Sequence, residues 1–320
     1  QLARQKNCGR RIVCAPPIWG KSEMDLFVQQ TVNALALGGT YALLALGLAV
    51  VFSIMGLINF AHGELMTISG YTLMYCGILG VPFVVSVPLA ILAAVLAAVA
   101  MERIAFRPVR GGSGATMLIT SFAVAMILQV LFQNLISARS QAVALPQILS
   151  QSVHLGNVII GVNKIAAIAA TVLMLIFLDR FMNRQKTGIA MRAAAEDFAV
   201  ARLMGIRANT VIAGAFAISG LLAGVAAVLW VSQRASVDPL MGFTPVLKAF
   251  IAAILGGLGS LRGAVAGGFM LGFIEVYLAA FLPQEFQEFR EPIGLGLVVL
   301  ILLFRPNGMI PSRFLGLIKV

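Results

Sequence analysis

The residues of this chain that could do chemistry fall into three groups. Asn59, His62 and Glu64 set an amide, an imidazole and a carboxylate close together in an otherwise apolar stretch. They either shape a gate or translocation path, or satisfy the backbone groups of a broken helix and pin its turn. Glu275 stands alone in the middle of an apolar run. A carboxylate near hydrocarbon is costly, so Glu64 and Glu275 must each pair or face water; Lys248 is a candidate partner for Glu275. The third group is an island of charge, Asp179–Arg207, holding Asp179, Arg180, Arg184, Lys186, Arg192, Glu196, Asp197, Arg202 and Arg207. Its chemistry is electrostatic recognition. Bond-making chemistry has little support. His62 and His154 are far apart, and Cys8, Cys14 and Cys76 have neither zinc spacing nor a disulfide framework. No metal, no cofactor and no enzymatic activity are expected.

The elements that must position these groups are helices. The chain is 60% hydrophobic and 11% charged, with a mean hydropathy of +0.98, against about 25% charged residues in a soluble domain. Apolar runs near the length of a bilayer crossing place it among all-α polytopic membrane bundles. Nine spans are expected, at about 26–56, 64–80, 82–101, 116–136, 164–178, 209–231, 244–257, 263–282 and 292–304, which gives eight or nine transmembrane helices. The net charge of +11 needs no nucleic-acid partner, because Lys and Arg collect on the cytoplasmic side of membrane proteins. An external start puts the island, Arg103, Arg107, Arg110, Arg262, Arg305, Arg313 and Lys319 inside. It leaves only Arg139, Lys164, Arg234, Lys248 and Arg290 outside. The imbalance predicts an external N-terminus and a cytoplasmic C-terminus.

Residues 1–23 are basic, contain Pro16-Pro17 and lack the apolar core of a signal peptide. They are expected to be a non-native or disordered tail ahead of a single transmembrane domain, 24–320. Within the tail, Ala15–Ser22 looks like half of a phosphate-binding loop, but it lacks the first glycine and any preceding strand. The polar segment 137–163 reads as an external loop with a short hairpin, and Trp230 and Tyr277 as interfacial anchors. Gln129 and Gln133, one turn apart, are expected to bond between helices.

Glycine organises the rest. Gly220/Gly224, Gly259/Gly263/Gly267 and Gly268/Gly272 are small residues four apart, spacing that lets helix backbones approach closely. Gly56, Gly63, Gly70 and Gly77 recur every seven. The strings 56–63 (GLINFAHG) and 256–263 (GGLGSLRG) each interrupt an apolar stretch, as broken helices or tight re-entrant turns do where protein or water lines them. Two breaks in corresponding places predict an internal repeat with a pathway between its halves, which makes Gly256, Gly257 and Gly259 pathway candidates. In the island, Ala193, Ala194 and Ala195 favour helix, Arg192 and Glu196 are close enough to pair, and Gly188 and Gly205 stand where a short helix would start and stop. The island reads as a passive cytoplasmic loop at about 179–208 or as a helix offered to a soluble partner.

Ile58–Glu64 (INFAHGE), Arg107-Pro-Val-Arg110, Ala144-Leu-Pro146, Gly188–Ile206, Lys248-Ala-Phe250 and Leu255–Ser260 together resemble the permease subunits of branched-chain amino-acid ABC importers, in particular the paralogue bearing INFAHGE. The resemblance runs from about Met24 to Pro311 and is more distantly similar to ribose-type sugar permeases. It implies import of leucine, isoleucine and valine across a bacterial inner membrane, with urea or short amides as the substrates of close relatives. It implies a paralogous permease subunit, two cytoplasmic ABC ATPases and an external, periplasmic substrate-binding protein as partners, within the lipid bilayer. It also implies that the island couples to the ATPases, through Gly188, Arg192, Ala193, Glu196, Asp197 and Gly205. A stand-alone secondary transporter or channel is the competing class. Such a protein needs its own ion or proton relay, and Glu64 and Glu275 are few acids for that.

Overall fold

Every expected apolar run becomes a helix in the computed structural model, which describes residues 21–155 and 158–310. With the two short helices of the charged island, these are in chain order α1 (Lys21–Met55), α2 (His62–Ile78), α3 (Phe83–Val109), α4 (Gly114–Leu135), α5 (Val162–Arg184), α6 (Lys186–Glu196), α7 (Phe198–Leu203), α8 (Ala208–Arg234), α9 (Phe243–Gly256), α10 (Leu261–Phe281) and α11 (Arg290–Phe304). Six of them, α1, α3, α4, α5, α8 and α10, are long and apolar enough to cross a membrane. The other three expected spans are shorter: α2 has 17 residues, α9 has 14 and α11 has 15. At about 1.5 Å per residue each falls short of a ~30 Å hydrocarbon layer. Of the expected tail, residues 1–20 lie outside the described residues and 21–23 form the first turn of α1. Arg313 and Lys319 also lie outside.

α1 and α8 are buried over most of their length and face each other, while less than a third of the apolar stretch of α3, α4, α5 or α10 is fully buried. Helices that are apolar on every side belong in the middle of such a bundle. The contact plan repeats. α1 packs along α10 and α8 packs along α3; α2 lies against α3 and α8, and α9 against α10 and α1. Exchanging α1–α4 with α8–α11 therefore returns the same set of contacts, which is the expected internal repeat. The small-residue pairs serve equivalent crossings. Gly268 and Gly272 of α10 press on the backbone of Ala42 and Gly38, and Gly220 and Gly224 of α8 on α3 at Ala94, Val95 and Ile91.

The end of α3 is shaped by Pro108. A proline inside a helix has no N–H to donate and its ring crowds the carbonyl four residues back. The chain answers with a π-helical turn, Glu102–Phe106, just before it. Arg110 then reaches back to the buried carboxylate of Glu102 and donates to Asn209 Oδ1 at 2.9 Å. Arg107-Pro-Val-Arg110 thus ties α3 to the start of α8. The polar segment 137–163 carries the expected hairpin. Its strands are β2 (Ser152–Leu155) and β3 (Val158–Gly161), and a two-residue strand β1 (Gln141–Ala142) pairs with β4 (Ser236–Val237) after α8.

The two breaks differ. Gly56, at φ +63°, ends α1 and the chain re-enters α2 at His62. The second is a tight turn between α9 and α10, with Gly257 at φ +111° and Gly259 at φ +82°, conformations that side chains with a Cβ adopt at a cost. Ser260 Oγ caps α10 by accepting from Gly263 N at 3.1 Å. Met309 N and Ile310 N donate to Leu255 O and Gly256 O, closing residues 309–310 over the turn.

Candidate functional site

The charged island folds as two short helices where the sequence predicts one. α5 runs on through Asp179, Arg180 and Arg184, so the expected boundary at 178 shifts to Arg184. Gln185 is extended, and α6 and α7 follow. Asp197 divides them, its Oδ1 accepting from Val200 N at 2.9 Å as the N-cap of α7. Gly205 stops α7 with φ +84°, as expected. Gly188 does not start α6: it lies in the first turn, against the backbone of Phe181 and Met182, and a Cβ there would come 2.7 Å from Met182 Cα. It lets α6 fold back on α5. Arg192 and Glu196 are both exposed and form no ion pair with each other. Holding two long side chains in water costs about what their attraction returns.

One face of α6, with Gly188, Met191 and Ala194, is buried against α5, α8 and α1, and Ala193 is half-buried beside it. Arg192, Glu196 and Asp197 are exposed to solvent, and so, along α6, α7 and the turn after it, are four apolar side chains that sequence reasoning missed. Ile189, Val200, Leu203 and Met204 are exposed by 47%, 53%, 87% and 78%. Their signal was present, as apolar residues inside a charged segment.

At the first break the polar groups are buried. Asn59, His62 and Glu64 are each at most 1% exposed. His62 Nδ1 lies 2.9 Å from Ser219 Oγ on α8. Its ring fits because α1 has glycine opposite: a Cβ on Gly47 would meet His62 Cε1 at 2.6 Å. Glu64 Oε1 accepts from Gln129 Nε2 on α4 at 2.8 Å, the interhelical bond expected of Gln129. Asn59 meets Met101 on α3. Phe60 stacks on Phe122 of α4 with centroids 4.4 Å apart and meets Phe250 of α9 edge-on at 5.4 Å. The backbones of Gly63 and Gly242 touch, so the first turn of α2 and the start of α9 abut. The break therefore joins α1, α3, α4, α8 and α9. Gln129→Leu is expected to cost about 1–3 kcal/mol, because it strips a buried carboxylate of its donor, whereas adding Glu64→Leu recovers most of it. Thermal unfolding of the detergent-solubilised protein measures both.

The remaining pathway candidates sit elsewhere. Gly256 packs on Gly263, and Gly257 on Asn307 and Ile310, at the α9–α10 turn that includes Gly259. Glu275 pairs with Lys248 as anticipated, Nζ to Oε1 at 2.7 Å, and its other oxygen accepts from Tyr41 at 2.9 Å. Lys248 Nζ also lies 3.3 Å from Glu291 Oε1. This network borders a cavity of about 210 Å³ between α9, α10 and α11. Trp230, expected at the lipid interface, is instead 7% exposed beneath Arg234, whose guanidinium lies 4.1 Å from the ring. Tyr277 stacks on Phe273 and Phe281 and hydrogen-bonds Thr31.

The profile described as the branched-chain amino acid transport system / permease component matches residues 30–304. The chain is 38% identical to the high-affinity branched-chain amino acid transport system permease protein BraD of Pseudomonas aeruginosa, over 90% of this chain and 97% of that one. It is 36% identical to the permease protein LivH of the corresponding Escherichia coli system, covering 89% and 95%. A second permease of that system, LivM, is 31% identical over 46% of this chain and 33% of its own length.

Proposed function

Because this chain belongs to the permease family of branched-chain amino-acid transport systems, we propose that it is the membrane subunit through which an ATP-driven importer passes leucine, isoleucine and valine into the cytoplasm. It works in the bacterial inner membrane beside a paralogous permease, with two ABC ATPases on the cytoplasmic side and a binding protein outside. The N-terminus is external and the C-terminus cytoplasmic. The resemblance of part of the chain to LivM supports a related second permease, and the distribution of Lys and Arg supports the orientation.

One observation carries the coupling role. α6 presses one face onto α5, α8 and α1, α7 packs back against α6, and both expose apolar side chains beside charges. A partner that grips Arg192, Glu196, Asp197 and the apolar tips of α7 pushes on the bundle's centre through α6. Gly188 and Gly205 fix the two ends of this lever and Ala193 keeps it thin. Its motion would be felt at the Gly63–Gly242 contact, around which Asn59, His62 and Glu64 hold the gate, and at the Gly256–Gly259 turn. Glu275 belongs to the outer part of the path.

Proteoliposomes containing both permeases, both ATPases and the binding protein are expected to accumulate labelled leucine only with ATP on the ATPase side. Uptake by this chain without any ATPase, or labelling of Glu196→Cys by an impermeant thiol reagent from the binding-protein side, would sink the reading.

A further inference from the structure

We infer that the cavity between α9, α10 and α11 is a transit site for the amino acid as a zwitterion, with Lys248 and Arg290 receiving the carboxylate and Glu291 the ammonium. This rests on the reading of the chain as an amino-acid permease and adds where, and by which charges, the substrate is held.

Four charged residues border the cavity: Lys248, Glu275, Arg290 and Glu291. Lys248 and Glu275 lie on helices that read as membrane-embedded, yet each side chain is 20% exposed. Charges left facing hydrocarbon are expensive, so this flank belongs to water or protein and not to lipid. The contrast with the outer face of α5 is plain, where Ile165, Val172, Leu173, Ile176 and Phe177 are exposed without a polar neighbour among them.

The partners are unequal. Glu275 is held twice, by Lys248 at 2.7 Å and Tyr41 at 2.9 Å, and acts as a fixed anchor. Glu291 is held loosely, at 3.3 Å, and is 60% exposed. Arg290 brings a buried Nε with no protein partner to the same cavity. An incoming carboxylate can take the place of Glu291 on Lys248 and reach Arg290, while the freed Glu291 turns to the ammonium. Each charge that loses a partner gains another. Two cations and two anions leave the site neutral, which suits a neutral zwitterion, whereas a singly charged solute leaves one charge uncompensated. A cavity of about 210 Å³ exceeds many times the ~10–15 Å³ that one water needs. Leu247, Ile251, Leu271 and Ile274 offer a branched side chain an apolar wall. Urea or a short amide has no charged ends to exchange with this network.

The test uses the complete transporter in proteoliposomes, with Cys8, Cys14 and Cys76 replaced by alanine and Leu278→Cys placed on the cavity wall. Modification of this thiol by a small water-soluble methanethiosulfonate is expected to slow about tenfold in L-leucine at about ten times the Kd of the site, because the free fraction falls as 1/(1 + L/Kd), with L the leucine concentration. Leucinol, which lacks the carboxylate, should not protect. Adding Lys248→Met should abolish protection by leucine, and Glu291→Gln should weaken it. Equal rates with and without leucine, in a complex that imports leucine under ATP, overturn the site and leave the proposed function standing. Undiminished protection in Lys248→Met overturns it as well. A complex that assembles and hydrolyses ATP without importing leucine counts against the function instead.

Discussion

Leu203→Asp combined with Met204→Asp is expected to release the ATPases from the purified complex and to abolish ATP-driven leucine uptake. The two side chains stand 87% and 78% exposed at the end of α7, just before the left-handed Gly205 that turns the chain back toward α8. An apolar tip so exposed, flanked by Arg202 and Arg207, has the make-up of an interface anchor with a polar rim. Truncating such an anchor costs about 2 kcal/mol or more. Two together, with carboxylates in their place, should weaken retention at least ~100-fold, since ~1.4 kcal/mol corresponds to tenfold. The fold should survive, because Met191, Ala194 and Ala201, which hold α6 and α7 to the bundle, are untouched. Size-exclusion co-elution measures retention and proteoliposome uptake measures coupling. Reversing both Arg192 and Asp197 should act in the same direction with a smaller effect, because exposed charges contribute less than a desolvated apolar contact. Full co-elution of the double aspartate variant would remove α7 from the interface.

Gly268→Leu is expected to leave almost no monodisperse protein. A Cβ at this position would come 2.5 Å from the backbone nitrogen of Ala42 and 2.8 Å from its Cβ, so the obstacle is main chain and cannot rotate aside. Overpacking a core costs about 1–3 kcal/mol where side chains can shift. Here the whole α1–α10 crossing must open, and the cost should exceed ~3 kcal/mol. Since α1 is also the partner of α8 and α9, the loss spreads across both halves of the bundle. Gly296→Leu is the control: nothing lies within 4 Å of a Cβ there, and it should behave as wild type. Fluorescence-detected size exclusion after detergent extraction separates the outcomes, and a normal Gly268→Leu profile would refute the packing account.

Much of this architecture was legible because a bilayer leaves the chain little choice. Backbone groups in hydrocarbon must bond within their own helix, so each long apolar run had to be a helix. A carboxylate such as Glu275 had to find a partner, and the sequence offered Lys248. The small-residue pairs Gly268/Gly272 and Gly220/Gly224 announced close crossings, though not which helices would meet. The island was legible as charge but not as shape. Asp197 had two options, the polar face of one long helix or the cap of a second, and only the packing of Met191 and Ala194 beneath α6 selects the second. Nor could a sequence show that Val200, Leu203 and Met204 face outward, because an apolar residue in a polar segment points inward or outward according to what lies under it.

The composition and periodicity of this chain determined by themselves that it is a helical membrane bundle, about where its long helices lie, that it carries two glycine breaks, and that one segment is too charged for lipid. Tertiary structure alone decided that His62 meets Ser219 while Glu64 meets Gln129, that α2 and α9 abut at Gly63 and Gly242, and that Lys248, Glu275, Arg290 and Glu291 converge on one cavity. The reason is physical. Helix formation in an apolar medium is a local demand that each segment satisfies alone, whereas the meeting of distant side chains depends on which glycine lets which pair of backbones come close.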